Sequence, residues 1–272
     1  MTHGAIPDGK NDVLIHEVTN DHTSANSHFV IHILPGNPGL ISFYESFAAS
    51  LSSLLKQRSL CQSVSITICG KSLRGFETGP GLEDARSRGM LGLTETVLGS
   101  ESDLEAILDT LQVAGRISPP AKVILLGHSV GAYILLELLR RQSERRKGNS
   151  PVKLDIVGGL LVFPTVTWIA KSSMGRIITV RILHLLASQN FLTLLQPILS
   201  IPFLPAVVGM LAFGILSILP TVLLYHIVRL VTWFPPQASS TLVRFLKSKN
   251  GVRQALYVRH QLPAPIFLAN SF

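Results

Sequence analysis

Lys122 to Tyr133 reads KVILLGHSVGAY, and the reading of this stretch decides the fold. Val123 to Leu126 is a short apolar run with β-branched members, Gly127-His128-Ser129-Val130-Gly131 follows at once, and apolar residues recur at helical spacing from Tyr133 to Arg141. The order is strand, tight turn, helix. A G-x-S-x-G turn in that setting is a nucleophile elbow, which holds its serine in a strained conformation with Oγ pointing off the sheet. Side chains at Gly127 and Gly131 would collide with the neighbouring strand and helix. Ser129 is therefore the candidate nucleophile, with His128 before it, and the N–H of Val130 faces the place where an oxyanion forms. An ordinary βα turn is the competing interpretation. The flanking strand and helix, not the pentapeptide alone, favour the elbow.

Upstream, His28 to Leu34 (HFVIHIL) predicts a strand that runs into Pro35-Gly36-Asn37-Pro38-Gly39. Two Pro-Gly steps end it. Such a turn after an early strand supplies a second oxyanion N–H in the folds that use this elbow. Prolines have no N–H, so Gly36, Asn37 and Gly39 are the possible donors, and Asn37 is favoured; a plain tight turn is the other reading. A helix is expected from Ile41 to Gln57, a second strand from Ser63 to Cys69, and a long loop from Gly70 to Arg88. Arg74, Arg86 and Arg88 read as solvated loop charges. Ser102 and Glu105 have capping-box spacing, which predicts a helix starting at Ser102. Arg140, Arg141, Arg145, Arg146 and Lys147 close the elbow helix as a solvated cationic surface. Leu154 to Phe163 reads as the next buried strand. Residues 1–27 are polar and read as a tail or a weak first strand.

Composition narrows the class. A chain of 272 residues holds one α/β domain with a large core plus an appended segment. Hydrophobic residues make up 47% and charged residues 15%, with mean hydropathy +0.39. The net charge is +8, but the basic residues are scattered and no nucleic-acid motif occurs, so an anionic membrane surface is the expected partner and nucleic acid is not. Cys61 and Cys69 form no disulfide framework and lack metal-ligand spacing, which implies a reducing compartment. No metal or other cofactor is expected. The polar start MTHGAIPDGKND carries no secretory signal.

Three ordered motifs together are similar to a known family: Pro35 to Gly39 (PGNPG), Gly127 to Tyr133 (GHSVGAY), and Leu160 to Thr165 (LLVFPT) followed by Lys171 to Arg176 (KSSMGR). They resemble the lipid droplet-associated hydrolases, over roughly Val30 to Arg253. The resemblance implies an α/β-hydrolase fold, a mostly parallel sheet with helices on both faces. It also implies Ser129 as nucleophile of an ester hydrolase acting on neutral lipid or sterol esters in lipid storage. Residence on lipid droplets and the endoplasmic reticulum follows from the same resemblance.

From Ile182 to Val228 there is no Lys, Arg, Asp or Glu, a run longer than the roughly 20 residues that span a bilayer once. Pro197, Pro202, Pro205 and Pro220 break it, which predicts two apolar helices folded back as a hairpin. Lys171, Arg176 and Arg181 precede the run and Arg229, Arg244 and Lys247 follow it, so both ends are expected to face the cytosol. A hydrophobic cap packed over the site is the other arrangement the pattern allows. His184 and His226 read as interfacial or core residues. The expected organisation is a tail (1–27), an α/β-hydrolase core (28–170), a hydrophobic cap or lipid-inserting hairpin (171–233) and a partial C-terminal region (234–272) with a helix around Thr241 to Leu256.

A serine nucleophile needs a base and an orienting acid, which in this fold follow the cap. No Asp or Glu follows Asp155, which lies at the entering end of its strand, and His260 is the one late histidine. The final strands read as missing, and 272 residues are expected to be a shortened product of a longer gene. Two functions are compatible with this: a lipid-surface serine ester hydrolase, or a catalytically inactive droplet- and membrane-binding protein that keeps the fold.

Overall fold

The computed structural model describes residues 12–18, 27–57, 64–78, 90–117, 121–148, 154–164, 214, 218–248 and 254–255. In chain order the elements are β1 (Val13–Glu17), β2 (Ser27–Leu34), a short 3-10 helix (Ile41–Tyr44) running into α1 (Glu45–Gln57), β3 (Val64–Lys71) and α2 (Leu93–Val113). There follow β4 (Lys122–His128), α3 (Val130–Lys147), β5 (Asp155–Val162), α4 (Thr221–Thr232) and α5 (Pro236–Lys247). The five strands form one sheet in the order β1-β3-β2-β4-β5. All neighbours pair in parallel except β1, which runs antiparallel to β3. Parallel neighbours require crossovers, and α1, α2 and α3 supply them.

Successive residues of a strand point to opposite faces. Ile31 and Ile33 of β2 join Ile68, Leu126 and the α1 residues Ala48, Leu51 and Leu55 on one side. On the other, Val30 packs with Cys69 and with Ile107 and Leu111 of α2, while Leu34 packs with Leu125 and with Ile134, Leu135 and Leu138 of α3. Helices therefore cover both faces, as the pattern predicts. Beyond the sheet, α4 and α5 pair through Leu224, Val228 and Val243. Phe245 of α5 stacks on Phe76 at 6.5 Å between ring centroids, joining α5 to the core.

Several elements depart from the sequence reading. Helix α2 begins at Leu93, nine residues before Ser102 would have capped it, with Gly92 as its cap. Thr96 and Ser100 bond back to the carbonyls four residues earlier, so these hydroxyls sit within the helix instead of starting it. Of the two readings of residues 1–27, tail or weak first strand, the second holds for Val13–Glu17, a short strand paired with β3 that buries Leu14. The strand β5 is not buried, because on the side away from β4 it has no partner strand among the described residues; Val157, Leu160 and Leu161 are exposed. Helix α5 begins at Pro236, earlier than the expected Thr241, and runs to Lys247, with Pro236 at its first position, where a missing N–H costs nothing; Gln254 and Ala255 are helical, and Leu256 lies outside the described residues.

Arg74 is not a solvated loop charge. It donates twice to Asp103 of α2, at 3.1 and 2.9 Å, and Lys71 bonds the same carboxylate at 2.9 Å. The α3 arginines are likewise paired: Arg140 with Glu137 and Glu144, Arg145 with Glu101, and Arg146 with Asp155. Arg86, Arg88, Cys61, His184, His260, the Lys171 to Arg176 motif and most of the 182–228 run lie outside the described residues.

His32 is buried within β2, its Nδ1 3.4 Å from the Cys69 sulfur. Burial pushes its pKa down to about 4, against the opposing pull of the Asp103 charge. The folded protein therefore binds fewer protons here than the unfolded chain once pH drops below about 6.5. The neutral histidine's contribution is complete above that value and is lost as pH falls towards 4. Urea denaturation between pH 7 and 4.5 should show a stability loss of up to roughly 3 kcal/mol in excess of that seen in His32→Leu.

Candidate active site

Strand β4 ends at His128 and α3 begins at Val130, leaving Ser129 alone to reverse the chain. It does so with φ 53° and ψ −119°, a left-handed conformation that a non-glycine residue adopts only under constraint. The constraint is visible on every side. Ser129 N–H donates to Val162 at the end of β5 at 3.1 Å, and its carbonyl accepts from Ala132 at 3.0 Å. A Cβ on Gly127 would lie 2.5 Å from the Gly131 carbonyl oxygen, and one on Gly131 would run into the carbonyl oxygens of Leu34 and Pro35. Although Ser129 is the residue before the helix, its hydroxyl makes no capping bond to α3. The Val130 N–H is the first of the helix and belongs to the group with no partner inside it, at the positive end of the helix dipole.

The Pro35–Gly39 turn lies beside this elbow because β2 and β4 pair in parallel to their ends, Leu34 opposite Gly127. Gly36 makes the closest approach: a Cβ there would stand 2.8 Å from His128 Nδ1 and 2.9 Å from Ser129 Cβ. The Gly36 N–H is committed, donating to the Tyr44 hydroxyl at 2.8 Å. Gly39 faces away, towards Leu73 and Phe76. The Asn37 side chain donates to the Ala255 carbonyl at 3.0 Å, which ties the turn to the far end of the chain.

Ser129, Val130, Gly127, His128, Gly131 and the Asn37 turn are thus gathered at one end of the sheet. Two contributors had no signature in the sequence. Tyr44 reaches both the turn and the elbow from the 3-10 helix, its hydroxyl 2.7 Å from His128 Nδ1. Gln254 is buried and pairs with both backbone groups of Leu91, at 3.1 and 2.8 Å, in the manner of a strand neighbour. Phe163 follows β5 with φ 44° and sets its ring edge-on to His128 at 6.2 Å.

The family model described as lipid-droplet associated hydrolase matches residues 27–261, which include the turn and the elbow. The chain belongs to this family. Proteins named "Lipid droplet-associated hydrolase" are similar to it at 29% identity in Gallus gallus (70% of this chain, 51% of the relative) and 28% in Homo sapiens (60% and 46%). In Pongo abelii the identity is 30%, again over 60% and 46%. The chain spans about half the length of the curated relatives it matches. No solved structure matches it.

The clearance at the elbow of this family member is open to test by adding single methyl groups. Gly127→Ala should cost about 3 kcal/mol or prevent folding, because the obstacle is backbone. Gly158→Ala on β5, where a Cβ meets nothing within 4 Å, should leave stability within about 0.5 kcal/mol of the parent in the same denaturation assay.

Proposed function

We propose that this protein is a serine ester hydrolase working at a lipid surface, with Ser129 as nucleophile and the N–H groups of Val130 and Asn37 as its oxyanion hole. The observation that carries this reading is Ser129 at φ 53° between a strand and a helix, with both elbow glycines in backbone contact and the Pro35–Gly39 turn against it. Backbone strain of about 1–3 kcal/mol is retained where it serves a site. In the step envisaged, Oγ attacks the ester carbonyl as its proton passes to a general base, the negative charge developing on the carbonyl oxygen is met by preorganised N–H donors, and the tetrahedral intermediate collapses by expelling the alcohol, which takes that proton back. Within the turn, Asn37 is the donor of choice, since the Gly36 N–H is occupied. Neutral lipid or sterol esters are the proposed substrates, and lipid storage the proposed role, in keeping with the relatives' names.

The lipid surface has its own support. Among the described residues no helix is long and apolar enough to cross a membrane. Helix α4 instead buries Leu224 and Val228 against α5 and leaves Val222, Leu223, Ile227, Leu230 and Val231 exposed, the last two at 77% and 73%. Trp233 follows at 88%. An apolar face this continuous marks a contact surface, and the exposed Arg229 and Arg244 cations suit anionic headgroups, while Lys247 is engaged by the Leu219 carbonyl at 2.6 Å. Together with the uncharged 182–228 run, it supports residence on droplets and endoplasmic reticulum, facing the cytosol, by insertion into one leaflet.

One observation favours a second reading, lipid-surface binding without hydrolysis. Asp155, the carboxylate on the strand next to the elbow, pairs with Lys122 at the start of β5, at the far end of the sheet from Ser129, and lies 3.3 Å from Arg146. A fluorophosphonate probe decides between the two: covalent labelling that disappears in Ser129→Ala supports the hydrolase, and absence of labelling in the folded parent supports binding alone. For the surface itself, Leu230→Glu combined with Val231→Glu should weaken co-flotation with phospholipid-coated triolein droplets at least about tenfold while leaving the thermal midpoint nearly unchanged.

A further inference from the structure

The turn and the elbow lie past the last paired residues of β2 and β4, Leu34 and Gly127, where the sheet ladder no longer fixes their separation. One side chain spans the gap. The hydroxyl of Tyr44 accepts the Gly36 N–H at 2.8 Å and sits 2.7 Å from Nδ1 of His128, with the two rings edge to face at 5.8 Å. Burial raises the phenol to about 12 and lowers the imidazole from its ordinary value, so both are neutral near pH 7. A neutral phenol that accepts from Gly36 has one proton to give, and the acceptor in front of it is His128 Nδ1. When the phenol donates to Nδ1, the imidazole's own proton stands on Nε2, and this is the arrangement in which every donor and acceptor of the bridge is used.

We infer that Tyr44 is a positioning residue of this site: by bridging Gly36 and His128 it fixes the Pro35–Gly39 turn against the elbow and withholds the Gly36 N–H, leaving Asn37 as the turn's oxyanion donor. The geometry makes the bridge stringent. Gly36 already touches the elbow at a distance that excludes a Cβ, so the turn cannot move inwards, and the two hydrogen bonds of Tyr44 stop it moving outwards. Tyr44 itself is held by the start of α1, which follows it directly, since Ser46 of α1 bonds Gln237 of α5 at 3.1 Å and Glu45 meets His16 of β1 at 2.9 Å. The inference rests on the hydrolase reading for its catalytic consequence but not for the bridge.

Two measurements on the full chain separate these. Nitrogen-15 NMR of the histidine rings, with His128→Gln assigning the signal, should find His128 neutral with its proton on Nε2, and Tyr44→Phe should redistribute that proton between the two nitrogens. Fluorophosphonate labelling of Ser129 should slow about tenfold at saturating probe in Tyr44→Phe, with the half-saturating concentration unchanged, the loss of two hydrogen bonds felt at the oxyanion site. An unchanged tautomer overturns the bridge whatever the labelling does. Labelling at the parental rate or faster overturns the positioning role, because a released Gly36 N–H would then serve the oxyanion itself. If the parent is never labelled, the hydrolase reading fails and the positioning role with it, while the tautomer shift still decides the bridge. Should Tyr44→Phe fail to fold, His128→Gln keeps the Gly36 bond and is expected to slow labelling about threefold; parental labelling there overturns the role equally.

Discussion

The first turn of α3 rests on the carbonyl end of β2, backbone against backbone, at the one position where a glycine allows it. A side chain at Gly131 would meet the carbonyls of Leu34 and Pro35, and one at Gly127 would meet Gly131 in turn. From this contact the rest of the site follows. With α3 seated so close, the chain has a single residue in which to pass from strand to helix, and Ser129 takes the left-handed conformation because nothing else connects the two. The same seating brings the helix N-terminus, with its unpartnered N–H groups, to the edge of the sheet where β2 delivers the Pro35–Gly39 turn. Ile134, Leu135 and Leu138, one and two turns further along the same face of the helix, offset the strain by their burial in the core.

Around this contact the loops are held by side chains more than by backbone pairing. Asp103 on α2 receives Lys71 and Arg74 together, which anchors the start of the loop after β3 to a helix on the far side of the crossover. The carboxylate is largely buried, so removing it would strand two cations. The Arg140 pairs with Glu137 and Glu144 are exposed and contribute far less. Gln254 closes the loop before α2, and Ala255 takes the Asn37 amide. Residues distant in sequence thus converge on the Pro35–Gly39 turn, and α5, stacked through Phe245 on Phe76, carries the exposed face of α4 at the edge of the same body.

The parts legible in the sequence were those in which local chemistry and tertiary role coincide. An apolar run, two glycines around a serine and a helical period identify the elbow because each residue there is required by its immediate neighbours. Signals failed where a side chain serves two purposes. Ser102 and Glu105 have the spacing of a helix start, yet Thr96 and Ser100 spend their hydroxyls on carbonyls one turn back and the helix begins at Leu93. Arg74 reads as a loop cation because its partner lies on another element, 29 residues along the chain.

The strand, elbow and helix around Ser129, and the strand that runs into the Pro35–Gly39 turn, were determined by the sequence itself, since periodicity and glycine placement are local. The tertiary structure decided what lies across gaps in the chain. It set β1 antiparallel beside β3, buried His32 beside Cys69, engaged the Gly36 N–H by presenting Tyr44, and left α4 with an exposed apolar face. None of these follows from residue order, because each depends on the distance between segments that no local rule relates.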